Sequence, residues 1–149
     1  MKSVLHAIFG SGAMLTIFLF WTSTLVSEIF LSVESILFVK RNIVNYGLVL
    51  LVFLMAGVGS SGFSLGRGRN GKLVEGKKKR MPIIALNGIL IMIPSALFLN
   101  FKASTNEFDT WFYVVQAIEL LVGLVQLSLL GLSFRDGLKL AGKIRRVSH

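Results

Sequence analysis

Cysteine is absent, which removes disulfides, thiolate metal sites and cysteine nucleophiles together. Histidine occurs twice, as His6 and His149, too few in these positions for the paired axial ligands of a bis-histidine haem. Acidic residues number seven against sixteen lysines and arginines. No two of them share a predicted helix face at metal-ligand spacing with a third ligand nearby, so no zinc site is expected. Glu28 and Glu34 stand roughly 120° apart around a helix and make no ready carboxylate pair. The glycine-rich stretch GRGRNGKL lacks the order of a phosphate-binding loop. Serines are plentiful, yet none has a base histidine close in sequence to activate it. These absences predict a protein that is not an enzyme and uses neither metal nor cofactor.

What the chain has instead is apolar surface. Of its 149 residues, 54% are hydrophobic and 15% charged, against the roughly 25% charged of soluble domains. Four runs approach or exceed the ~20 residues that cross a ~30 Å hydrocarbon layer: residues 4–25, 43–65, 82–101 and 111–134. Hydrocarbon supplies no hydrogen bonds, so each run must satisfy its own backbone, and runs of this length without strand alternation predict helices. The expected fold is an all-α integral membrane protein, a four-transmembrane-helix bundle forming one domain over 1–149. The start MKSVLHAIFG carries no small-x-small cleavage pattern and reads as a retained first span.

The positive charge is unevenly placed. Lys2, the connector 66–81 with its KKKR run, and the tail 135–149 hold thirteen of the sixteen lysines and arginines, leaving Lys40, Arg41 and Lys102 elsewhere. The positive-inside bias then puts both ends and the connector in the cytoplasm, an N-in/C-in threading. Beside a span, the KKKR run reads as an orientation signal touching anionic lipid headgroups rather than a nucleic-acid patch. A plasma membrane is the expected location, the inner membrane for a bacterial source. Trp111, Phe112 and Tyr113 suit an interfacial belt at the start of the fourth span.

Residues 4–39 contain no proline and would extend roughly 54 Å as one helix. The segment SEIFLSVESILFVK alternates short polar and bulky apolar groups. The expectation is a long first helix or an amphipathic segment lying at the outer interface. Pro94, inside the third span, predicts a kink.

Small and polar residues mark the inward faces. On the fourth span Gln116, Glu119, Gly123, Gln126 and Ser133 follow 3-4-3-7 spacing and form one stripe. Ala85, Gly88, Met92 and Ser95 make a flat stripe on the third span. Ala56, Ser60 and Ser64, with the Gly62/Gly66 pair, mark the second, and His6, Gly10 and Ala13 the first. Such stripes are the usual seams between spans, within a chain or between copies.

Glu119 falls near the bilayer centre, roughly 12 Å along its helix. A charge there costs at least ~2.5 kcal/mol and needs protonation or a partner. Gln116, Gln126 and, from the outer end of span one, Glu28 are the expected neighbours. No lysine or arginine lies inside the runs as bounded above, so no ion pair is expected for it. Two functional readings follow. One is a non-catalytic accessory, assembly or interaction subunit whose partners are lipid and either further copies or a larger membrane complex. The alternative is a small proton- or cation-coupled transporter using Glu119.

Overall fold

The computed structural model describes residues 2–67 and 71–142, and every regular element among them is helical. Arg69, Lys143, Arg145, Arg146 and His149, which bear on the charge and haem arguments, lie outside the described residues, as does the Lys2 side chain. Four helices are long and apolar enough to cross a membrane: Ser3–Phe30, Val33–Gly66, Lys72–Ser104 and Thr110–Leu140. Their outer surfaces carry bulky apolar side chains such as Val49, Phe53, Leu90 and Leu121, each about two-thirds exposed. Apolar surface of that extent marks a face that meets a membrane or another protein rather than bulk water.

The first helix, α1 (Lys2–Phe30), stops where the chain turns through Leu31 and Ser32. Ser32 is extended (φ −75°, ψ 164°), and its carbonyl accepts the first bonds of the next helix from Ser35 and Ile36. Glu34 in the first turn and Lys40 and Arg41 in the last complement the dipole of α2 (Val33–Asn42). A single π turn over Ile43–Gly47 then joins α2 to α3 (Leu48–Gly66) without a break. Residues 27–40 are therefore divided. Up to Phe30 they end helix one, and from Val33 they begin the second span. This corrects the single long helix running on from span one: a two-residue turn, with no glycine or proline, ends α1 and starts a separate helix.

The connector also differs from expectation. Helix α4 (Lys72–Asn87) already contains the KKKR run, so most of 66–81 is helix and not flexible linker. Alpha-helical geometry yields to a second π turn at Gly88–Met92 before α5 (Ile93–Ser104). Pro94 follows immediately. It offers no N–H and its ring crowds the carbonyl one turn back, and a widened turn relieves both.

A Schellman-type end closes α5. Asn106 (φ 53°) takes the left-handed conformation, while Glu107 N–H reaches the Lys102 carbonyl and Asn106 N–H that of Ala103, satisfying carbonyls the helix leaves free. Asp109 caps α6 (Thr110–Leu140), its Oδ1 accepting from Phe112 N–H at 3.0 Å. Lys102 donates to Glu107 at 2.7 Å and to Asp109 at 2.8 Å. The Lys102 ammonium, and then the Phe112 amide, hold the Asp109 carboxyl below its ordinary value. A depressed folded value means that the turn is stabilised above the unfolded aspartate pKa, and that this stability is lost as pH falls through the folded one. The Phe112 amide resonance is therefore expected to keep its hydrogen-bonded position down to about pH 4, the usual aspartate value, and to move upfield below it. A shift already lost near pH 5 would contradict the cap.

Around the bundle the order is span two, one, four, three: α1 packs along α3 and α6, α4 and α5 along α6, and α2 against α5. Spans two and three thus meet where α2 crosses α5 but diverge where α3 faces α4. One apolar cluster, Ile36, Leu99, Ala103 and Phe112, closes the end bearing the 105–109 turn. Another, Ile17, Ile84 and Leu130, lies toward the basic end. Polar side chains occupy the layer between them.

Candidate functional site

The central layer is built on an ion pair. Lys40, only 2% exposed, donates from Nζ to Glu119 Oε2 at 3.1 Å and also to Gln116 Oε1. Gln116 Nε2 donates to the same Glu119 oxygen at 3.1 Å, so the three side chains form a closed triangle linking spans two and four. This corrects the expectation that Glu119 would have no cationic partner. The second span starts ten residues earlier than its apolar run suggests, and the last turn of α2 carries Lys40 inward. Glu28, near the end of α1, lies within electrostatic reach of both Lys40 and Glu119. Its Oε1 is buried with no hydrogen-bond partner among the described residues.

Below this triangle the helices are joined through backbone carbonyls. Trp21 Nε1 donates to the Leu120 carbonyl at 2.9 Å and Gln126 Nε2 to that of Ile84 at 2.9 Å. Gly123 makes the first possible, since a Cβ there would stand 2.9 Å from the indole Cδ1. Between membrane helices such bonds average about 0.6 kcal/mol each.

A cavity of about 350 Å³ opens from this layer between α3 and α4. Thr24, Trp21, Glu119 and Gln126 provide its polar atoms, and Val52, Ala56, Ala85 and Ile89, all exposed, stand among its apolar walls. Gln126 is 2% exposed, and its Oε1 has no partner among the described residues.

The remaining seam residues are distributed unevenly. Gln116, Gly123, Gln126 and Ser133 are buried, with Glu119 at 12% exposure. Ser95 and Ala13 are buried and Gly88 is half-buried near Gln126. Ala56, Ser60 and Ala85 are exposed, and Gly10 faces open space. Gly62 meets His6, and Gly66 meets Lys78. The closest backbone approaches are elsewhere, at Gly47 under the Phe20 ring and at Gly57, where a Cβ would lie 2.6 Å from the Phe9 ring.

A second polar set ties the basic end. Lys77 Nζ meets His6 Nε2 at 3.2 Å, His6 Nδ1 meets Ser61 Oγ at 2.9 Å, and Ser61 donates to the Gly57 carbonyl. The donor order that satisfies every atom puts the imidazole proton on Nδ1. Arg80 donates to the buried Asp136 at 2.8 Å. His6 is thereby part of a side-chain chain crossing spans one, two and three. Among the described residues no group of three histidines or carboxylates is placed to hold a metal.

No family model matches the sequence, and no curated protein or solved structure is significantly similar to it. The reading of function rests on the geometry alone.

Proposed function

We propose that this chain is a small non-catalytic multi-pass membrane protein, an accessory or interaction subunit, whose working part is the cavity between its second and third spans. The observation that carries the reading is the divergence of α3 from α4, which leaves small side chains, Ala56 and Ala85, exposed on opposite lips of an apolar cavity. Small residues let a neighbour approach closely, and among the described residues none stands over the mouth. In this reading both ends and the start of α4 face the cytoplasm, the basic residues there contact anionic headgroups, and the occupant arrives laterally from the membrane.

The absence of cysteine makes a direct test clean. A single cysteine is placed at Ala56, on the lip, or at Val49, 67% exposed on the same span. In native membranes an apolar maleimide should modify Val49→Cys several-fold faster than Ala56→Cys, and extraction into detergent should shrink that ratio. A ratio unchanged by extraction would mean that nothing occupies the mouth, and the reading fails.

A second reading, a proton- or cation-coupled carrier, is favoured by one observation: a second carboxylate, Glu28, lies within electrostatic reach of the Lys40–Glu119 pair without itself pairing with Lys40. With all three charged the group carries one negative charge in a low-dielectric layer, a condition that favours uptake of one further proton or cation. Glu119→Gln should then abolish pH-driven flux in proteoliposomes. Flux equal to the parent's, or none in the parent, counts against transport.

A further inference from the structure

We infer that the cavity between α3 and α4 is a binding site for a membrane-dissolved amphiphile, an apolar body of on the order of ten non-hydrogen atoms carrying a hydrogen-bond-donating hydroxyl or amine. This rests on the reading of the cavity as a docking place and names what docks there.

The size, the walls and the polar floor each restrict the occupant. At about 350 Å³ the space lies at the lower end of small-molecule pockets, roughly 300–1,000 Å³, and is too small to receive a whole helix, some 10 Å across. Its walls are aliphatic and aromatic, and its mouth lies between lipid-facing side chains, so the ligand comes from hydrocarbon.

The floor decides the chemistry. Trp21 has already given its N–H to Leu120, and Gln126 has given an N–H to Ile84. What remains is acceptor: the Glu119 carboxylate on the cavity wall, whose Oε2 takes the bonds from Lys40 and Gln116 while its Oε1 takes none among the described residues. Thr24, also on the wall, has a hydroxyl that can turn either way. A carboxylate oxygen taken out of water without a donor is unfavourable, and a donor on the ligand restores the lost hydrogen bond. A ligand with only acceptors, such as an ether or a ketone, or with no polar group, gains nothing at Glu119. The site should therefore select a hydroxyl or amine over a hydrocarbon of equal length.

Trp21 lies in the cavity wall, and the chain's other tryptophan, Trp111, is exposed at the far end of the bundle. In the full chain carrying Trp111→Phe, Trp21 is the sole indole, and bromine quenches it on contact. The purified protein is titrated with 2-bromodecan-1-ol and, separately, with 2-bromodecane. The alcohol should quench along a saturable curve, and the bromoalkane only linearly, as expected for partition into the micelle. Ala56→Phe, which fills the lip from an exposed position, should remove the saturable part without disturbing the fold. Glu119→Gln, which leaves a neutral and weaker acceptor at the same place, should weaken it several-fold.

Equal saturation by alcohol and alkane would overturn the donor requirement, and saturation unaffected by Ala56→Phe would overturn the site. Absence of saturable quenching by either probe also overturns it. If Ala56→Cys is nonetheless protected in native membranes, the docking reading survives with a protein occupant, so the two failures are told apart.

Discussion

Replacing Lys40 by methionine is expected to lower stability by about 3–5 kcal/mol, the cost of breaking a buried ion pair from one side. Methionine nearly matches the lysine stem in volume, so the packing loss is small and the electrostatic loss dominates. The carboxylate of Glu119 keeps one hydrogen bond, from Gln116, and loses its counter-ion at 12% exposure. Gln116 Oε1, itself buried, loses its donor as well. Thermal or denaturant unfolding in a mild detergent measures the effect. Arginine at the same place is expected to keep the charge but lose the fit, because its planar fork cannot replace a compact ammonium held by two oxygens at this spacing.

Gly57→Ala and Gly10→Ala are expected to move stability in opposite directions. In an exposed helix interior the change gains about 0.8–1 kcal/mol of helix propensity. A Cβ at Gly10 meets nothing within 4 Å, so that gain should appear undiminished. At Gly57 the Cβ would press on the Phe9 ring at 2.6 Å, and Phe9 is braced edge-to-face against Phe53 with centroids 6.0 Å apart. Overpacking of this kind costs about 1–3 kcal/mol, which outweighs the propensity gain. The contact of α1 with α3 is the most extensive helix pairing among the described residues, so separation of these helices should accompany the loss. Paired unfolding curves of the two variants decide it, and equal shifts would contradict the packing.

Four spans were legible because hydrocarbon thickness imposes a length that composition reveals directly. The direction of the fourth span's polar stripe was legible too, since Gln116, Gly123, Gln126 and Ser133 recur at the helical period and a polar group in lipid must face inward. The partner of Glu119 was hidden by an element boundary. Nothing between Ser27 and Asn42 is glycine or proline, and the only signs of a new helix were Ser32 followed by Glu34 at one end and Lys40 with Arg41 at the other. Read as helix termini, those residues place Lys40 inside a span; read as amphipathic alternation, they place it at the surface. Close glycine contacts were hidden for another reason. Gly47, Gly57 and Gly123 matter because an aromatic ring from another helix rests on each, and periodicity along one helix carries no information about the register of its neighbour.

The pair between Lys40 and Glu119 is the joint on which the second span's path, the polar layer and the cavity floor all depend. A double-mutant cycle measures it most directly: stability of the parent, Lys40→Met, Glu119→Leu and the double variant under one condition. The double variant should be far less destabilised than the two single losses added together, with a coupling of about 2–3 kcal/mol, the upper part of the range for residues in direct contact. Losses that simply add would mean that the two side chains do not meet, and would contradict the placement of α2 inside the bundle.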